Sequence, residues 1–441
     1  MKSERPVIKT KSRLLLDFVA ALYQRRRAVD FVGHRPTLQR FVAVIASLPL
    51  LVLAAPNPVA DWNQLITSCI GKECQTPALA SRNLATYHLA IASAIESTQG
   101  RSEEDQLLAG AAAAHAVGKT LFSGEASRFD SLVTDATIDS EKSKLQEIGR
   151  ASASSALAIR EGDSSTTTQN YSTSFQPGQW ERTCSRPPEL PHWQNVRPFF
   201  LKDAKSFLPP APPALDSPEY AKALREVQTY GARNSIERTP EQTMLAKFWS
   251  DFSYTSTPPG HWNEVARFLS AEHTLSPLKS ARLFAALNLA MADVSIVCWN
   301  AKYCYNLWRP VTAIHRADED GNAATHANPE WRPLLKTPPH PEYVSGHAAF
   351  SGAAATVLNA FFPEGTRFSV TSETVPNVVR TYESFDACAR EIAESRVHGG
   401  IHYRFSGENG LLLGQTTAAL VLHSIGSQNI SQLINPPYSI P

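Results

Sequence analysis

The sequence predicts an all-α protein. Two observations carry that expectation: repeated Ala- and Leu-rich stretches with apolar residues three and four positions apart, and only one short run that alternates apolar with polar residues. In chain order, the text TPALASRNLATYHLAIASAIES from Thr76 to about Ser97 has the spacing of a core-facing helix, and Asp105–Phe122 and Ser140–Glu161 share it. Between Gly162 and Ser217 the composition turns to Ser, Thr and Pro. Proline removes helix donors and fixes φ, so this segment must be irregular. Trp180, Trp193, Phe199, Phe200 and Phe207 are interleaved with it, and aromatics at that density predict an ordered, packed connection. Helical text returns at Pro218–Tyr230, Pro240–Phe252, Trp262–Glu272 and Pro277–Trp308, then at Gly346–Phe361, Ser384–Val397 and Ser406–Ile425. Arg367–Glu373 alone reads as strand.

The expected divisions are a basic leader with a signal-like segment (1–60), an N-terminal helical half (61–161), the Ser/Pro-rich connection (162–217) and a catalytic helical half (218–441). A chain of 441 residues can bury a large core. Its 42 basic and 41 acidic residues nearly cancel, which argues against a nucleic-acid partner and favours a small-molecule substrate. Six cysteines are too few for a disulfide scaffold in a chain this long, and none forms a paired CxxC zinc pattern; Cys69 and Cys74 are close enough to bridge locally. The first forty residues carry ten Lys or Arg against three acidic residues and precede the apolar run Phe41–Ala55. At fifteen residues that run is short for a membrane span and suits a signal-peptide core. The alternatives are a buried helix or an uncleaved anchor. Charge and length favour export to the periplasm or medium, with cleavage near residues 54–60, a mature start near Asp61 and no stable membrane association.

Three segments concentrate groups that handle anions and protons. In KYCYNLWRP, Lys302 and Arg309 are seven apart, about two helical turns, so a continuous helix would place both cations on one face near the end that Pro310 enforces. In YVSGHAAFSG, Ser345, Gly346 and His347 open a helix, whose free amides and dipole favour an oxyanion, with His347 beside it to move a proton. In SRVHGGIH, Arg396 adds a third cation and His402 a neutral nitrogen able to attack or ligate an electrophile; Ser395 and His402 would share a face if helical. Each part alone has a plainer reading: a solvated basic face, an ordinary N-cap, a core histidine. His398 and His402 also stand i, i+4, a spacing that could hold a metal cation, but no acidic residue accompanies them.

In this order, K-x6-RP, SGH and SR-x5-H resemble the motif set shared by vanadium-dependent haloperoxidases and the type 2 phosphatidic acid phosphatase superfamily. The segments VADWN, PHWQNVRPFFL, FWSDFSYTSTPPGHWN and CWNAKYCYNLWRPVTAI resemble text of the bacterial haloperoxidase-like branch, from about Asp61 to the C-terminus. That resemblance implies two stacked helix bundles with a proline-rich wrapping loop. It makes Lys302, Arg309 and Arg396 a cationic clamp on vanadate, Ser345 and the Gly346 amide neutral donors, His347 the acid-base group and His402 the vanadium ligand. Phosphate can occupy the same site, since both ions are tetrahedral oxyanions.

Two chemistries are implied. In the favoured one, hydrogen peroxide and halide give hypohalous acid, bromide or iodide ahead of chloride, with a small organic acceptor; His347 assists proton movement and Lys302 polarises the peroxide. In the other, an acid phosphatase, His402 is a nucleophile passing through a phosphohistidine. An inactive helical binding protein is a third reading, disfavoured by seven intact oxyanion-handling positions. The resemblance places Trp299 beside the halide, His340 where a histidine goes with bromide oxidation, and Asp251 in pairing distance of a site Arg or His; a homo-oligomer is compatible with it. Two positions depart from the pattern. Val344 stands where many members have proline, and Ser406 where an aspartate is frequent.

Overall fold

The computed structural model describes residues 57–133, 140–427, 429–430 and 432. The basic leader and the apolar run Phe41–Ala55 lie outside the described residues.

The first helices are α1 (Pro58–Lys72), α2 (Pro77–Ser97), α3 (Glu103–Leu121), the single turn α4 (Ala126–Phe129) and α5 (Ser140–Ala158). α1 was not foreseen, although its start carries a strong signal: Pro58 at the first position and an Asn57 side chain accepting from the Ala60 amide at 3.2 Å. Asp61 lies in its first turn. After the connection come α6 (Pro218–Tyr230), α7 (Pro240–Phe248), α8 (Thr257–Glu272), α9 (Pro277–Tyr305) and α10 (Pro310–His315). The last three are α11 (Gly346–Phe361), α12 (Phe385–His398) and α13 (Arg404–Ser427).

α9 organises the whole. Ser276 caps it, Pro277 sits at its first position, and it ends where Asn306 turns left-handed at φ 50°. Nearly every residue from Ser280 to Tyr303 is buried, so it is apolar all round. It is long and apolar enough to cross a membrane, yet it lies almost wholly inside the fold. One side packs on α2 of the first bundle, formed by α1–α5 with α8; the other packs on α11 and α13 of the second. α11 and α13 meet backbone to backbone, because a Cβ on Gly352 would stand 2.2 Å from the Leu411 carbonyl and one on Gly414 2.2 Å from that of Ala349.

Two polar features tie the layers together. Asn63 on α1 bonds His88 on α2 at 2.9 Å and Asn263 on α8 at 2.7 Å, and Asn263 bonds Asn288 on α9 at 2.7 Å, all buried. Asp293 on α9 accepts from the Phe199, Phe200 and Leu201 amides at 2.6, 2.8 and 3.0 Å, fastening the connection to the central helix. Trp180 and Trp193 of that segment are fully buried, and Phe199, Phe200 and Phe207 half-buried.

Several expectations need correction. A second strand, β2 (Arg380–Tyr382), pairs antiparallel with β1 (Phe368–Val370), Phe368 opposite Tyr382. α9 stops at Tyr305, short of Trp308, and α7 at Phe248, short of Phe252. All six cysteines are free thiols, so Cys69 and Cys74 do not bridge; Cys69 is buried and Cys74 exposed.

Candidate active site

Lys302 lies in the last turn of α9 and is completely buried. Its Nζ donates to the carbonyls of Pro341, Glu342 and Val344 at 3.2, 3.0 and 2.5 Å, which uses all three ammonium protons on the loop that precedes α11. The Tyr343–Val344 peptide in that loop is cis. Because the helix ends at Tyr305, Lys302 and Arg309 do not share a helical face. Arg309 is instead the N-cap residue of α10. Its Nε donates to the His340 carbonyl at 2.9 Å, one NH1 proton to the Ile401 carbonyl at 2.8 Å, and NH1 also lies 3.2 Å from His402 Nε2. Burial lowers Lys302 to about 8 and Arg309 to about 10.

Ser345 caps α11, its oxygen accepting from the Ala348 amide at 3.4 Å, which leaves the hydroxyl proton to donate elsewhere. At Gly346 a Cβ would meet only Trp299 Cζ3, at the ordinary contact distance of 3.8 Å. His347 follows, with one ring nitrogen bonded to the Ser250 backbone and Nε2 buried without a partner. Burial and the nearby Arg396 lower its pKa to about 3, against a smaller pull from Asp251.

Arg396 comes from the last turn of α12. Its NH2 reaches the Ala246 carbonyl at 3.3 Å, while Nε is buried without a partner; burial lowers its pKa to about 10. α12 ends at His398, so neither Ser395 and His402 nor His398 and His402 form a helical pair. Gly400, at φ 75°, carries the chain to His402 past Gly231, whose carbonyl would lie 2.4 Å from a Cβ there. Among the described residues no group of three His, Cys, Asp or Glu could hold a metal cation.

The best-defined residue is His402. Its Nδ1 lies 2.7 Å from Glu342 Oε1, which also accepts from the Tyr403 amide at 3.0 Å. A carboxylate on Nδ1 and an Arg N–H on Nε2 fix one tautomer: Nδ1 carries the proton and Nε2 a lone pair. Burial, then the surrounding cations, keep the ring neutral, well below the usual histidine range. Glu342 is fully buried and raised by burial to about 7, and its Oε2 has no partner. Sequence reasoning missed it. Ser406, where relatives often have aspartate, places its hydroxyl 3.4 Å from the same Nδ1, so the carboxylate arrives from sixty residues upstream instead.

His402, Arg396, His347, Gly346, Trp299, His340 and Asp251 line one cleft of about 940 Å³, with Lys302, Arg309 and Ser345 behind its wall. The His340 ring lies 5.4 Å from Trp299 and its Nδ1 2.9 Å from Arg309 NH2. Asp251, at φ 38°, is buried, and its carboxylate stands 3.2 Å from His261 Nδ1 on α8, a partner the sequence did not suggest. Burial pushes Asp251 up, but His261, His347 and Arg396 bring it below its ordinary value.

Three buried cations with depressed pKa values, of which Arg396 keeps an unpartnered guanidinium N–H, supply positive charge and a donor for an oxyanion beside one helix start, and the unpartnered His347 Nε2 supplies an acceptor for a proton. The residues present therefore fit vanadate or phosphate.

Residues 282–429 match the family model described as the VCPO second helical-bundle domain. The chain is 29% identical over 210 residues to the vanadium chloroperoxidase of Curvularia inaequalis, covering 40% of this chain and 34% of that protein. It is 33% identical over 132 residues to the vanadium-dependent bromoperoxidase of Ascophyllum nodosum, covering 26% and 23%. The chain thus spans about a third or less of the length of these curated relatives. Among solved structures, a bacterial vanadium-dependent iodoperoxidase superposes with a TM-score of 0.72 at 28% identity, covering 82% of this chain and 95% of that one. A bacterial vanadium-dependent chloroperoxidase gives 0.61 at 16% identity, a likeness of fold, over 81% and 94%. In sequence over its second bundle, and in structure over 82% of its length, the chain is similar to vanadium haloperoxidases.

Proposed function

We propose that the chain is a vanadate-dependent haloperoxidase that uses hydrogen peroxide to oxidise iodide or bromide ahead of chloride. The observation that carries the reading is the fixed tautomer of His402, whose Nε2 lone pair faces the Arg309 NH1 donor at 3.2 Å, in a cleft that Arg396 also lines with its Nε unpartnered. Vanadate would be held by His402 through Nε2, by Arg396 and Arg309, and by the Ser345 hydroxyl and Gly346 amide. When bound, it supplies an electrophilic centre that activates peroxide without changing its own oxidation state. Glu342 holds the His402 ring in place through Nδ1. His347, neutral at pH 7 with an unpartnered Nε2, would take a proton from incoming peroxide at that atom. Lys302 contributes its charge and braces the 341–344 loop, since its N–H groups are engaged there. Trp299 and His340 form the wall offered to the halide, and the iodoperoxidase likeness supports the larger, more oxidisable halides.

The test is a paired assay on protein stripped of vanadate. Iodide and bromide oxidation by peroxide is expected only after orthovanadate is added, and phosphate-ester hydrolysis is expected to be absent. Hydrolysis inhibited by vanadate, with no halide oxidation, would make the chain a phosphatase using His402 as nucleophile.

A further inference from the structure

Peroxide and a halide ion need little room, yet the cleft measures about 940 Å³, the size of pockets that enclose a whole organic molecule. Its floor is the buried site, and its exposed lining has a distinct chemistry. Arg186, Arg233 and Lys336 line it, are exposed, and form no salt bridge among the described residues, although the Arg186 charge also acts on Glu189, a carboxyl group of the same lining. Arg332 adds a fourth cation, with NH1 engaged by the Pro329 and Trp331 carbonyls. Beside them Phe252 and Tyr254 lie with ring centres 5.5 Å apart and 32° between planes, Tyr254 being 63% exposed. Exposed cations outside any salt bridge and an aromatic pair whose Tyr254 ring is exposed are complementary to a ligand with a negative group and a flat ring.

We propose that the mouth of this cleft binds the organic acceptor itself, and that the acceptor is an aromatic compound bearing an anionic group such as a carboxylate. The proposal rests on the haloperoxidase reading for its chemistry. The halogen of hypohalous acid replaces a ring hydrogen, forming the carbon–halogen bond, and the ring proton leaves with the hydroxide as water. The acceptor held at the rim meets the oxidant as it forms.

The experiment uses protein loaded with saturating vanadate, so that the inner clamp is occupied, and titrates it calorimetrically with 4-hydroxybenzoate and with its neutral methyl ester. The carboxylate is expected to bind about tenfold more tightly at low salt, the sum of several exposed charge contacts, with the advantage lost near 0.5 M salt. A triple variant, Arg186→Gln, Arg233→Gln, Lys336→Gln, is expected to erase the advantage while leaving ester binding and thermal stability unchanged. Tyr254→Ala is expected to weaken both ligands. Equal binding of the two ligands by the unmodified protein, or an advantage that survives the triple variant, overturns the proposal. So does a triple variant that raises only the apparent KM for iodide, because the rim would then concentrate small anions. Failure of the haloperoxidase reading shows separately, as absence of triiodide from iodide and peroxide, while the titration still decides what the mouth binds.

Discussion

Replacing Glu342 by Gln separates the charge on His402 from the shape around it. Glu342 Oε1 takes both the Nδ1 proton of His402 at 2.7 Å and the Tyr403 amide at 3.0 Å, and Gln keeps an acceptor at that position with nearly the same volume. Hydrogen bonds to a charged partner contribute about 1.5–3 kcal/mol against about 0.5–1.5 for neutral ones, so the substitution removes about 1–1.5 kcal/mol from the orientation and basicity of the ring. That is about tenfold in the dissociation constant of vanadate, measured from the rise in melting temperature with vanadate concentration. Glu342→Ala, which also removes the acceptor, is expected to weaken vanadate about 10- to 100-fold. Stability without vanadate moves the other way. Glu342 is raised by burial to about 7, so the folded state holds its proton longer than the unfolded state does, and the contribution of this group falls as pH climbs from about 4.5 through 7. Gln has no such loss, and at pH 8 the variant should melt no lower than the unmodified protein. Vanadate binding within twofold of the unmodified protein, or weaker binding that merely tracks a lower melting temperature, would refute the reasoning.

Three further outcomes are expected. Burial lowers Lys302 to about 8, so vanadate binding should weaken by one proton's worth as pH rises through that value, and Lys302→Met should remove the inflection. Over the window from about 8 to 10.5 the folded state binds fewer protons at Lys302 than the unfolded one, so this group's stability contribution rises with pH and the lost binding is not unfolding; a falling melting temperature there would count against the assignment. Gly414→Ala forces a Cβ to within 2.2 Å of the Ala349 carbonyl, and α11 and α13 must part at a cost of about 1–3 kcal/mol, read as a lower melting midpoint; no shift would show the seam to be loose. Export is part of the proposed reading, supported by the basic leader and the Phe41–Ala55 run: expression of the full chain should yield protein outside the cytoplasm whose mass places its N-terminus near residues 54–61, and an intact Met1 in the cytoplasm would overturn it.

Much of the fold was legible because local and global signals agree. The Pro218–Tyr230 and Gly346–Phe361 helices coincide with their sequence bounds, where Ser217 and Ser345 supply caps just ahead of an apolar period. α1 was hidden by its position beside the export-like segment, and β2 buries only Tyr382 of its three residues, so it shows none of the alternation that marks β1. At the site, the three motifs named the residues but not their relations. Lys302 and Arg309 look like one helical face on paper, yet Asn306 breaks the helix between them, and the two converge only because each bonds a different part of the 340–344 loop. Glu342 left one usable trace, an acidic residue between Pro341 and Tyr343 beside the apolar Val344. Its pairing with His402 spans sixty residues and exists only once α9, α11 and α12 have assembled. His261 and Asp251 were missed as a pair for the same reason, their contact depending on the left-handed bends at Asp251 and Thr257.

The asparagine and histidine chain running from His88 through Asn63 and Asn263 to Asn288 bears on how the molecule is put together in time. Sliding any one of the four helices by a turn would leave amides stranded in an apolar interior, at about 1–3 kcal/mol each. The arrangement therefore admits a single alignment of α1 and α2 against α8 and α9, and it cannot be satisfied by either pair alone. Residues 58–97 have no finished interior until residues 257–305 reach them. Synthesis from the N-terminus leaves the early helices without these polar partners for some two hundred residues, until α8 and α9 complete the first bundle.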